Sequence, residues 1–81
     1  MHTVTIYGKP GCHLCDDARE IVRGLRARMA FELVEVDVSA DPLLHRRYGE
    51  RIPVLDLDGE ELFELFVDAD ALRERLARVG A

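Results

Sequence analysis

At 81 residues, 48% of them hydrophobic, the chain has enough apolar surface for one core and too little for a second. Eleven basic against sixteen acidic side chains give a net charge of −5, which excludes the basic footprint a nucleic-acid partner requires. No apolar run approaches the roughly 20 residues of a membrane span. The amino terminus lacks the pattern of a secretory leader, so the sequence predicts one cytoplasmic domain over residues 1–81.

Thr3 to Tyr7 is rich in β-branched and aromatic residues and stops at Gly8, which predicts a strand. Leu14, Cys15, Ala18, Ile21, Val22, Leu25 and Met29 then recur at intervals of three and four, the stripe of an amphipathic helix. Arg19, Glu20, Arg23 and Arg26 fall on its wet side. Phe31 to Val38 predicts a second strand, and strand–helix–strand in this order implies a parallel pair with a right-handed crossover. Asp41-Pro42 is a cap followed by proline at the first helical position, opening a short helix to Tyr48 with Gly49 as a left-handed stop.

After Pro53, the runs Val-Leu-Asp-Leu and Glu-Glu-Leu-Phe-Glu-Leu-Phe flank Asp58-Gly59, a strong two-residue hairpin signal. Asp68 caps a last helix with Ala69, Leu72, Leu76 and Val79 on its inner face, ended by Gly80. From Val54 to Leu72 there are seven acids and no base, which reads as a solvated surface. The element string is β-α-β-α-β-β-α, an α/β fold with a parallel pair and an antiparallel hairpin in one sheet.

Cys12-His13-Leu14-Cys15 stands where the first strand gives way to the first helix. A helix amino terminus carries free N–H groups and about half a positive charge, both of which stabilise a thiolate. Cys12 at the tip is therefore the expected nucleophile. Cys15, on the apolar stripe, is the expected buried resolving thiol. Lys9 and His13 add positive charge beside Cys12, whereas Asp16 and Asp17 oppose it.

Three other readings of the pair compete. A structural bridge enclosing two residues would restrain the unfolded chain by only about 2 kcal/mol, and a reducing compartment would not keep it. A zinc site would need two more ligands from His2, His13 and His45, which are poorly placed for a tetrahedron. Two ordinary buried thiols complete the set. A C-x-x-C after a strand and opening a helix is a redox signature, and no resident metal is expected. In the second constellation, Ile52-Pro53, a proline opens a strand, where a cis peptide would present the Ile52 backbone to a partner.

Tyr7-Gly8-Lys9-Pro10-Gly11-Cys12 with Cys15-Asp16, together with Ile52-Pro53-Val54, resembles the glutaredoxin branch of the thioredoxin-like superfamily. The likeness is strongest to short bacterial glutaredoxin-like proteins and runs along nearly the whole chain. It implies a thioredoxin-like, four-stranded mixed sheet in order 2-1-3-4, flanked by three helices, with a cis peptide before Pro53. It implies attack by Cys12 on a disulfide and resolution by Cys15. It also implies substrate contacts from Ile52, Pro53 and Asp68, and glutathione as co-substrate without any bound cofactor.

The chain departs from the family's usual pattern at His13-Leu14, at Arg51-Ile52 and at Leu65 to Asp70, where a glycine pair is missing. Bulky Phe66 and Val67 and the acidic run weigh against a glutathione site. The leading expectation is a monomeric thiol–disulfide oxidoreductase acting on a protein disulfide or a glutathione mixed disulfide. A binding module of the same fold without turnover, and a metal or iron–sulfur carrier, are the alternatives.

Overall fold

The computed structural model describes residues 1–81. Strands β1 (Thr3–Gly8), β2 (Glu32–Asp37), β3 (Val54–Leu57) and β4 (Glu60–Glu64) form one sheet in the order β2-β1-β3-β4. Helices α1 (His13–Arg26), α2 (Pro42–Tyr48) and α3 (Ala69–Arg78) complete the chain, with a 3-10 turn at Val38–Ala40. β1 pairs parallel with β2 and antiparallel with β3, and β3 pairs antiparallel with β4. This is the thioredoxin-like mixed sheet with three helices that the resemblance implies.

Alternation along β1 decides how the sheet is used. Val4, Ile6 and Gly8 are buried, and Thr3, Thr5 and Tyr7 are half-buried on the other face. Val4 and Ile6 meet Ala18 and Val22 of α1, Leu72 and Leu76 of α3, and Leu55 and Leu57 of β3 in the main core. A smaller cluster of Cys15, Val38, Tyr48, Ile52 and Val54 gathers at the carboxyl end of β1, with Tyr7, Cys12 and Leu44 packed against it. The cysteines thus belong to a second, local core.

Local chemistry accounts for most boundaries. Asp41 accepts the Leu43 N–H and Asp68 accepts the Ala71 N–H, so both predicted caps form. Asp58 (φ 52) and Gly59 (φ 87) both take left-handed backbone, the requirement of a tight hairpin turn that matches sheet twist. The Asp58 carboxylate also accepts the Thr3 N–H and pairs with His2, tying the hairpin to the start of β1.

Several expectations need correction. Gly49 is not a left-handed stop: its φ is −53, and glycine is needed there because a Cβ would strike the His45 carbonyl oxygen. α1 ends at Arg26, and Met29 reaches the core from the turn that follows. Leu14 is exposed despite lying on the predicted apolar stripe, while Cys15 beside it is buried. On α3 only Leu72 and Leu76 are buried, and Ala69 at the first helical position and Val79 at the C-cap are exposed. β4 stops at Glu64 rather than running on to Phe66.

The acidic run is not uniformly solvated either. Asp56 is buried within β3, and burial, followed by the nearby Glu61 charge, raises its carboxyl above the ordinary value. Glu61 and Glu64 share the Arg51 guanidinium, and Glu60 pairs with Arg75. These three of the seven acids are therefore paired with arginines outside the run.

Candidate active site

The turn from β1 into α1 builds the site. Gly11 (φ 77) takes a left-handed conformation that a glycine adopts without strain, and the chain then enters the helix at Cys12. Cys12 has extended backbone and serves as the N-cap, its Sγ accepting the Cys15 N–H at 3.2 Å. A sulfur thus occupies the place usually taken by a Ser or Asp oxygen. One of the unpaired N–H groups of α1, and the positive end of its dipole, are directed at that sulfur.

The two thiols are unequal. Cys12 is half-buried, whereas Cys15 is fully buried, and both are free. Burial, reinforced by a hydrogen bond with Cys12, pushes the Cys15 thiol up to about 11. The Lys9 backbone and the Arg19 charge act in the opposite direction without reversing the shift. One partly accessible sulfur at a helix terminus and one protonated sulfur buried behind it is the asymmetry expected of a nucleophile and a resolver.

Gly8 closes over Cys15 from the end of β1. A Cβ there would lie 3.0 Å from the Cys15 Sγ, so the strand approaches the thiol as closely as a glycine allows. Arg19 holds the turn from behind. Its guanidinium donates to the Lys9 carbonyl at 3.4 Å, to Asp16 at 2.6 Å, and pairs with Glu35 of β2 at 3.1 Å. Placing Arg19 simply on the wet face of α1 missed this clamp, because its partners lie on other elements.

Ile52 and Val54 pack in the same cluster as Cys15, and the Ile52–Pro53 peptide between them is cis. Beneath them Tyr48 stacks on Tyr7, with ring centroids 4.1 Å apart. Arg47 and Arg51 lie over the Tyr48 ring at 5.3 and 5.6 Å. Burial, and then the neighbouring Tyr48, raise the Tyr7 hydroxyl above its ordinary value, so this stack is neutral packing.

Among the residues singled out from the sequence, the fold gathers Cys12, Cys15, Lys9, Ile52 and Pro53 at one end of the sheet. Asp16 points outward to Arg19, and His13 is exposed on the first turn of α1. Asp68 caps α3, its carboxylate accepting the Ala71 N–H at 3.1 Å. His2 binds Asp58 at the opposite end of β1, about 20 Å of strand away from Cys12. Gly8, Arg19, Tyr48 and Arg51 were missed; only Gly8 carried a usable signal, as the last strand residue before the motif. A shallow groove of about 570 Å³ between α1 and α3, lined by residues such as Ile21, Leu25 and Met29, includes neither cysteine.

Known proteins share this fold. A protein of X. campestris, XcR50, superposes with a TM-score of 0.73 at 39% identity, covering 93% of this chain and 96% of the other. Protein Ne2328 of Nitrosomonas europaea gives a TM-score of 0.77 at 32% identity, covering 93% and 91%. A mutant thioredoxin of Halobacterium salinarum gives 0.71 at 26% identity over 95% of this chain and 73% of the other. Residues 3–77 match the family described as Glutaredoxin-like domain (DUF836), and the chain belongs to that glutaredoxin-like family of the thioredoxin-like superfamily.

Proposed function

We propose that this chain is a thiol–disulfide oxidoreductase whose working unit is Cys12 with Cys15. The observation that carries the reading is the Cys15 N–H donated to the Cys12 sulfur at the tip of α1. That contact turns a free N–H of the helix terminus toward the sulfur proposed to attack. The family and the fold support a redox role of this general kind.

In the proposed cycle, the Cys12 thiolate attacks one sulfur of a substrate disulfide and expels the other substrate sulfur, which takes up a proton. Cys15 then loses its proton and attacks the Cys12 sulfur of the mixed disulfide. The second substrate thiolate leaves, and a Cys12–Cys15 bond forms. Two electrons have passed to the substrate, which is now a dithiol. A thiol reductant such as glutathione restores the pair, so no bound cofactor is required. The protein acts as a monomer on a protein disulfide or a mixed disulfide.

In this reading Ile52, which shares an apolar cluster with both cysteines, and Pro53 after it meet the substrate, while Gly8 lets β1 approach the resolving thiol closely. The high Cys15 value suits a thiol that stays protonated until the mixed disulfide forms. Insulin reduction and reduction of a glutathione mixed disulfide, each followed with Cys12→Ser and Cys15→Ser, test the reading. Cys12→Ser should fall to the uncatalysed background, and Cys15→Ser should accumulate a covalent mixed disulfide visible by mass spectrometry. Full turnover in Cys12→Ser would overturn the assignment.

A further inference from the structure

A largely buried cation lies behind the resolving thiol. The Arg19 side chain is 21% exposed, and each edge of its guanidinium has a different partner. Nη1 binds Asp16 at 2.6 Å, and Nε pairs with Glu35 of β2 at 3.1 Å. Nη2 has a single long contact, 3.4 Å, to the Lys9 carbonyl oxygen. The nitrogen whose charge is least engaged is therefore the one turned toward the β1–α1 turn.

Gly8 leaves the space between that nitrogen and Cys15 clear. The point where a Gly8 Cβ would stand is 3.0 Å from the Cys15 Sγ and 3.7 Å from Arg19 Nη2, so sulfur and cation flank one gap. The backbone at Gly8 is not left-handed, unlike that at Gly11, so the site uses the small size of this glycine. Within the cluster around Cys15 the other ionisable side chains are Cys12, Tyr7 and Tyr48, and Lys9 reaches the thiol through its backbone. A tyrosine brings no charge at neutral pH, and Cys12 carries none while bound to a substrate sulfur. The carboxylates Asp16 and Glu35 face Arg19 itself. Hydrogen bonds from Ser39, and then the Arg19 charge, hold the Asp37 carboxyl below its ordinary value.

An anion at Cys15 is needed once in the cycle. Cys15 loses its proton to solvent, and its thiolate attacks the Cys12 sulfur of the mixed disulfide. The bond from Cys12 to the substrate breaks, and its electron pair leaves on the substrate sulfur, which takes up a proton. Burial disfavours that thiolate, and the Arg19 charge favours it. We propose that Arg19 serves this resolving step: Asp16 and Glu35 hold its guanidinium behind Gly8, where its charge supports the Cys15 thiolate as the disulfide closes. Resting on the exchange reading above, this gives the second half of the cycle a residue of its own.

A neutral dipyridyl disulfide, mixed with an equal amount of reduced protein, separates the two steps. Attack by Cys12 and resolution by Cys15 each release one coloured thiopyridone. In Arg19→Gln the second phase should be about threefold slower at pH 7, the net of about tenfold less thiolate and a more basic, stronger nucleophile. Its profile should move to higher pH, the deficit shrinking as pH climbs above the ordinary thiol value of 9.0. Arg19→Lys, which keeps the charge, should lose less. Asp16→Asn, at an exposed carboxylate, leaves Arg19 tied to Glu35 and should move the profile the other way, to lower pH. Should thermal melting show Arg19→Gln unfolded, the direction of the Asp16→Asn shift decides. A pH-independent deficit in folded Arg19→Gln, equal losses in Arg19→Gln and Arg19→Lys, or no downward shift in Asp16→Asn would overturn the role of Arg19 alone. Failure of the wild type to release any thiopyridone would overturn the exchange reading, and the role of Arg19 with it.

Discussion

At the scale of the residue, the difference between the two sulfurs follows from position on one helix. Cys12 is an N-cap and receives a backbone N–H, whereas Cys15 lies one turn in and is sealed by Gly8 and the Ile52 cluster. Burial is the leading cause of the Cys15 shift, so it should survive removal of the neighbouring thiol. In Cys12→Ser, alkylation of Cys15 should stay slow at pH 8 and climb only above the ordinary thiol value of 9.0, because burial remains. A midpoint at or below the ordinary thiol value of 9.0 would contradict this account. The linkage has a definite sign. A folded-state value raised above the unfolded one gives stability that is fully present below pH 9.0 and is lost as pH rises through about 11.

At the scale of the element, the β3–β4 hairpin shows how one side chain can serve both turn and tether. Asp58 accepts left-handed backbone at φ 52 while its carboxylate binds the Thr3 N–H and His2. Asn tolerates the same backbone, and Ala does not. Asp58→Ala should therefore cost about 1–2 kcal/mol in urea melts, with Asp58→Asn closer to wild type. The carboxyl lies below its ordinary value because His2, and then the Thr3 N–H, bind its charged form. A depressed value gives stability present above the unfolded value of 3.8 and lost as pH falls through the folded one. Any wild-type advantage over Asp58→Asn at pH 6 should accordingly fade below pH 3.8, and an advantage unchanged by acid would rule out the ionic tether.

For the whole molecule, stability and chemistry are divided between two clusters. The main core of Val4, Ile6, Leu55, Leu72 and Leu76 joins the sheet to α1 and α3, while the cysteine cluster contributes a smaller apolar patch at the end of β1. A chain of this length carries about 4–12 kcal/mol of stability in all. Leu72 is completely buried, so Leu72→Ala should cost about 2–5 kcal/mol and leave a marginal protein, as read by thermal melting. A loss below about 1 kcal/mol would mean that α3 is not a principal wall of the core.

The sequence by itself determined the order of elements, the caps at Asp41 and Asp68, the Asp58–Gly59 hairpin and the Cys12–Cys15 pair at a strand-to-helix turn. These features depend on local backbone preference and on periodicities of two and 3.6 residues, which a linear pattern carries. Tertiary structure decided what those patterns do not contain: the Arg19 clamp, the Tyr7–Tyr48 stack, the burial of Asp56, the sharing of Arg51 by Glu61 and Glu64, and the left-handed backbone at Leu65. Each joins residues from different elements or follows from a hydrogen bond across them, and such contacts exist only after the sheet has assembled. Gly49 shows the same limit in a short segment. Its type was legible, but the reason for it was a close carbonyl rather than a left-handed turn.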